Sequence, residues 1–202
     1  MSGTLLGAMS AGRLIMGLSL VFGLLGVQPA QAQDQWLLNG KPAGSDPSVA
    51  SSQGFAAKQI ATLDAEEFNN RWNRPTPGVE VDSASKVRRN QPIFVFLVFT
   101  GCKANATGSC DVTADFKMID PLGRPWGEQK NSPVWVGQAA PQYGVLQLST
   151  SSLGMVVENK DPLGAYRVIA DVTDHVAGIT LHTEQVLTAV VGQSNDNDVR
   201  RR

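Results

Sequence analysis

The run Ile-Phe-Val-Phe-Leu-Val-Phe-Thr over Ile93–Thr100 carries apolar side chains at odd and even positions alike. Successive side chains of a strand point to opposite faces, so a segment this dense in β-branched and aromatic residues predicts a central strand covered on both sides. Asp111–Ile119 reads differently. Val112, Ala114, Phe116 and Met118 alternate with Asp111, Thr113, Asp115 and Lys117, which predicts a strand with one wet face. Ala165–Asp174 places Tyr166, Val168, Ala170 and Val172 inward by the same rule, and shorter strands are expected at Val145–Ser149 and Met155–Glu158. Gly178–Val191 closes the series, its alternation shifting near Glu184–Gln185 as a β-bulge would shift it.

Turn chemistry separates these segments. Asp120-Pro121-Leu122-Gly123 and Asp161-Pro162-Leu163-Gly164 are the same four residues, each with a fixed proline φ and a glycine able to take positive φ. One short helix is predicted over Leu63–Trp72: Asp64 caps it, Glu66 and Glu67 sit in the first turn, and Phe68 and Trp72 share a face. Pro75 and Pro77 end it. About six strands with little helix predict an all-β chain, an antiparallel β-sandwich of two sheets.

The stretch Asp161–Ala170 (Asp-Pro-Leu-Gly-Ala-Tyr-Arg-Val-Ile-Ala) resembles the turn, tyrosine and alternating strand of immunoglobulin-like and fibronectin type III-like domains. The resemblance implies that Tyr166 is a fold-defining residue whose hydroxyl bonds back to the backbone upstream. The chain also resembles bacterial exported proteins, of no assigned activity, that combine an F-x-x-x-W helix, a G-C loop and a P-L-G-x-Y strand. It implies a fold and no catalytic residue.

Cys102 and Cys110 are the two cysteines, one ending a strong strand and the other beginning the next. Their spacing suits a hairpin stapled at its mouth by a structural disulfide in an oxidising compartment. A redox pair would call for C-x-x-C at a helix start, and a metal pair for further ligands. The compartment is read from the N-terminus. Arg13, an apolar stretch Leu14–Val27 too short to span hydrocarbon, and small residues at Ala30 and Ala32 have the order of a cleavable signal peptide, with translation starting at Met1 or Met9. The chain therefore divides into a signal peptide over 1–32, a flexible Ser/Pro/Gly-rich lead over 33–62, the helix and sandwich over 63–191, and a disordered tail over 192–202. Periplasmic localisation follows, with no membrane insertion after cleavage. A formal net charge of −1 offers no field for nucleic acid.

Catalytic machinery is not legible. Nucleophile elbow, P-loop, dinucleotide fingerprint and zinc-protease motifs are absent, and His175 and His182 read as exposed residues of a turn and an outer strand face. No cofactor or metal is expected. Arg124–Gly144 reads as a long connection carrying Trp126, Trp135 and Tyr143 among Pro, Gly, Gln and Asn. Such aromatics suit recognition, or they cap an open end of the sandwich. The sequence thus predicts a non-enzymatic accessory or binding protein that presents this region or a sheet edge to another exported or envelope protein; the alternative is a small-molecule or carbohydrate binder using the same aromatics.

Overall fold

In a computed structural model, residues 46–74, 83–142 and 144–192 are described, together with the backbone of two short strands, β1 (Leu37–Leu38) and β2 (Lys41–Pro42), which pair antiparallel. Residues 1–32, where a signal peptide is expected, Tyr143 and residues 193–202, where a disordered tail is expected, lie outside the described residues.

Two five-stranded sheets form the body. Sheet one contains β3 (Val49–Ser52), β4 (Phe55–Thr62), β6 (Pro92–Thr100), β9 (Gln147–Leu148) and β10 (Leu153–Val156). Its order is β10-β6-β4-β3, with β9 also on β6. Sheet two runs β5-β12-β11-β7-β8, from β5 (Lys86–Arg88), β7 (Ser109–Ile119), β8 (Pro125–Ala139), β11 (Gly164–Asp174) and β12 (Ile179–Val190). All pairs are antiparallel except β5 with β12, which are parallel. Phe55, Val95, Leu97 and Phe99 from one sheet meet Val112, Phe116, Tyr166 and Val168 from the other in a common core. This is the immunoglobulin-like sandwich that the strand pattern predicts.

The double-sided β6 is explained by the one helix among the described residues, α1 (Ala65–Trp72). Asp64 caps it, accepting from the Glu67 N–H at 2.9 Å, and Phe68 is buried against Phe96, their centroids 4.7 Å apart. Even-numbered residues of β6 are covered by α1 in a second small core of Ile60, Phe68, Phe96 and Val98, while odd-numbered ones face sheet two.

Four expectations need correction. The lead over 33–62 is not flexible in its second half: β3 and β4 lie there, and β4 is a central strand with Ala56, Ala57 and Ala61 buried. Its alanines fit because the backbone is tightly covered on both faces, a position where small side chains do not weaken the strand. The expected bulge at Glu184–Gln185 is absent, since β12 keeps one register with β11 from Gly164↔Ala189 to Asp174↔Ile179. Polar residues at its inward positions find partners instead: Gln59 Nε2 donates across the sandwich to Thr183 Oγ1 at 2.9 Å and to the Val168 carbonyl at 3.2 Å. The long connection Arg124–Gly144 is mostly the strand β8, whose Pro125, Pro133 and repeated register shifts are tolerated because it is an edge strand. Finally, Cys102 and Cys110 do not close a hairpin. β6 and β7 belong to different sheets, and the segment between them is the corner where the chain crosses over.

Candidate functional site

The aromatics of β8 are held apart by the strand that carries them. Trp126 stands near the Met118–Ile119 end of β7, and its ring meets Tyr166 edge-on with centroids 5.1 Å apart. Tyr166 is fully buried and its hydroxyl donates to the Pro162 carbonyl at 2.7 Å, four residues upstream. The two D-P-L-G turns touch at this end: a Cβ on Gly164 would lie 3.0 Å from the Pro121 side chain. Asp120 orders the first of them by accepting from the N–H groups of Leu122 and Arg124, each at 2.9 Å, and from the Arg124 guanidinium at 2.8 Å. Burial pushes the Asp120 carboxyl up, but these donors outweigh it and hold it below its ordinary range.

Trp135 sits opposite Val112, near the other end of β8. Its indole N–H donates to the Ala139 carbonyl at 2.9 Å, and its ring tilts against Phe99 at 5.7 Å. The two tryptophans therefore do not converge. Each packs against the core at its own end of the sandwich.

At the Trp135 end the corner, two turns and the disulfide build a concavity that the sequence reading missed. Cys102 and Cys110 are bonded, with Cα atoms 6.1 Å apart, so the corner cannot open. Gly101, at φ +74°, passes so close to the β3–β4 turn that a Cβ there would lie 1.9 Å from the Gly54 carbonyl oxygen. Gln53 and Gly54, at φ 50° and 83°, form that turn as a tight two-residue hairpin. From sheet two, the fully buried Asp174 fixes the β11–β12 turn: Oδ1 accepts from the N–H groups of Val176 and Ala177 at 3.0 and 3.1 Å. Its Oδ2 accepts from the Lys103 N–H at 2.7 Å and so ties that turn to the corner.

Between these pieces lies a cleft of about 350 Å³, lined by Gln53, Gly54, Phe55, Gly101, Lys103, Ala177 and Ile179. It opens between the ends of the two sheets. Its walls are apolar at Phe55, Ala177 and Ile179 and polar at Gln53 and Lys103. The visible signal is three separate turn sequences, Gln53-Gly54, Gly101-Cys102-Lys103 and Ala177-Gly178; their meeting depends on the strand order, which local patterns do not encode.

Elsewhere, His175 Nε2 bonds Thr113 Oγ1 at 2.8 Å, and His182 Nδ1 lies 2.8 Å from Asp171 Oδ1 on the outer face of sheet two. The His182 side chain is 65% exposed, which leaves this pair in open solvent. Among the described residues no three His, Cys, Asp or Glu side chains gather as a metal set, and no helix is long and apolar enough to cross a membrane.

No family model and no curated protein matches this chain. Among solved structures, it is similar to a Niemann-Pick type C2 protein from the Japanese carpenter ant, at 12% identity and a TM-score of 0.38, over 70% of this chain and 91% of that one.

Proposed function

We propose that this chain is an exported, non-enzymatic binding protein that takes a small ligand into the cleft at the disulfide end of its sandwich. The cleft's fixed walls carry this reading. A disulfide, a buried carboxylate with three backbone donors and a glycine-to-carbonyl approach converge on one concavity of about 350 Å³. That volume stands at the small end of ligand sites, and rigid walls reduce the ordering cost of binding. A small-ligand screen by thermal shift tests it: a ligand at about 100 times its Kd stabilises by about 2.7 kcal/mol. The stabilisation is expected to vanish in Ile179→Trp, whose indole fills the cleft. Equal stabilisation of both proteins would move the ligand elsewhere.

A second reading is supported by β8. It pairs with β7 on one side only, and its other side meets Thr150 and Ser151 around Pro133 and Val134, leaving the stretch from Pro125 to Asn131 as open edge. A strand from another exported or envelope protein fits that edge by strand addition. Pull-down from a periplasmic extract with wild type and Gln129→Pro, which removes a backbone donor, separates the two functions. A partner retained equally by both proteins counts against the edge.

Periplasmic export through residues 1–32 in a bacterial source, with maturation at Gln33, belongs to the same proposal. It rests on the signal-like order of the N-terminal residues and on a disulfide that an oxidising compartment maintains.

A further inference from the structure

We infer that the ligand of this cleft is a small organic acid, with its carboxylate at Lys103 and its apolar body against Phe55, Ala177 and Ile179; this rests on the cleft being the binding site. Three observations converge on that chemistry.

The first is a charge without a counterpart. Lys103 lines the cleft and its ammonium makes no salt bridge or hydrogen bond among the described residues; Lys58, Lys86 and Lys117 also stand outside the ion pairs there, so it is the position of Lys103 at the cleft that bears on the ligand. The second is the commitment of Asp174, the acid bonded to the Lys103 backbone. Its two oxygens accept from the backbone N–H groups of Lys103, Val176 and Ala177, so its carboxylate is already engaged, and it is not among the residues that line the cleft. The third is the apolar wall opposite. A charged group at the edge of a low-dielectric surface interacts more strongly with an opposite charge than it does in open water, and apolar contact adds affinity roughly in proportion to area buried. An anion without an apolar body would gain the first and forgo the second. A cation would meet Lys103 with like charge. The volume accommodates one ring or a short chain, which sets the size class.

Gln53 completes the polar rim. It lines the same cleft as Lys103, and an amide can donate to the second carboxylate oxygen of such a ligand.

The test uses isosteric pairs on the mature protein: benzoate against benzamide, and hexanoate against hexanamide, with affinities from backbone-amide NMR titration. Shifts are expected at Ala177, Ile179 and Lys103, with the acids binding at least tenfold more tightly than the amides. Lys103→Gln is expected to erase that ratio while leaving the amide affinity unchanged, and Lys103→Arg to restore it. Acids and amides binding equally at these residues would overturn the acid inference and leave the cleft as the site. Shifts at the cleft only with benzylamine would overturn it by sign. No shift at these residues with any of the compounds at millimolar concentration would remove both the acid and the cleft.

Discussion

Gly101 illustrates how one residue type can be required at one point of a chain. Its φ of +74° lies in the region that L side chains rarely adopt, and the Gly54 carbonyl oxygen occupies the place of a Cβ. Gly101→Ala cannot relieve both constraints without separating the corner from the β3–β4 turn, so a loss of about 3 kcal/mol or of the fold itself is expected in a thermal or urea melt. Gly123→Ala is the informative control: its φ is also positive but nothing stands within 4 Å of its Cβ position, so only the smaller backbone strain is expected. At the opposite end, Asp120 links stability to pH. Its carboxyl is held below the ordinary range in the folded chain, so its contribution is complete above about pH 4, where the unfolded group is ionised, and disappears as pH falls through the depressed folded value. Glu184 acts in the same direction, because the Arg167 guanidinium that it accepts from at 2.7 and 2.6 Å outweighs its burial. Urea midpoints of wild type and Asp120→Asn are expected to converge as pH drops from 6 to 2; a constant gap would show that Asp120 acts by shape alone.

Among the elements, those with their own periodicity are legible in the sequence alone. β6, β7 and β11 announce themselves because each repeats a side-chain pattern over eight or more residues, and α1 because Asp64, Glu66, Glu67, Phe68 and Trp72 agree on one start and one face. β4 and β8 were missed for opposite physical reasons. Phe-Ala-Ala-Lys-Gln-Ile-Ala-Thr is a central strand whose small residues reflect close cover from both sides, a condition set by other parts of the chain. β8 is an edge strand, where prolines, glycines and charges are tolerated, so its composition reads as loop. The aromatics followed from that error, since a strand separates Trp126 from Trp135 where a loop could have gathered them. α1 supplies the clearest test at this scale. Phe68→Ala removes the side chain that closes the second core, with an expected cost of about 3 to 4 kcal/mol. Because Ile60 and Phe96 belong to the two central strands of sheet one, amide exchange in β4 and β6 is expected to accelerate ahead of exchange in β11. Uniform acceleration would mean that the two cores open as one.

For the molecule as a whole, the disulfide's position in the topology matters more than its short loop. The bonded cysteines are eight residues apart, and on the chain-entropy model closing so small a loop stabilises by about 2 to 3 kcal/mol. A hairpin staple would add little beyond that, because its strands would already be paired. Here the cysteines fix a crossover between sheets that share no backbone ladder at that corner, and the same corner supplies Gly101 and Lys103 to the cleft. Stability and binding are therefore expected to respond differently to reduction. Cys102→Ser/Cys110→Ser is expected to keep the sandwich, whose two cores and inter-sheet Gln59 contacts do not depend on the sulfur–sulfur bond, and to melt lower by the disulfide's share. Its cleft is expected to lose more: with Asp174 still held by Val176 and Ala177 but the corner free to move, the Lys103 N–H no longer has a fixed place, and ligand affinity is expected to fall at least tenfold at temperatures where the far-ultraviolet spectrum is unchanged. The measurement is a paired one, circular dichroism and ligand titration on the same sample of the double variant. Affinity that survives in the folded variant would mean that the corner holds without the disulfide, and would sever the link between an oxidising compartment and a working site.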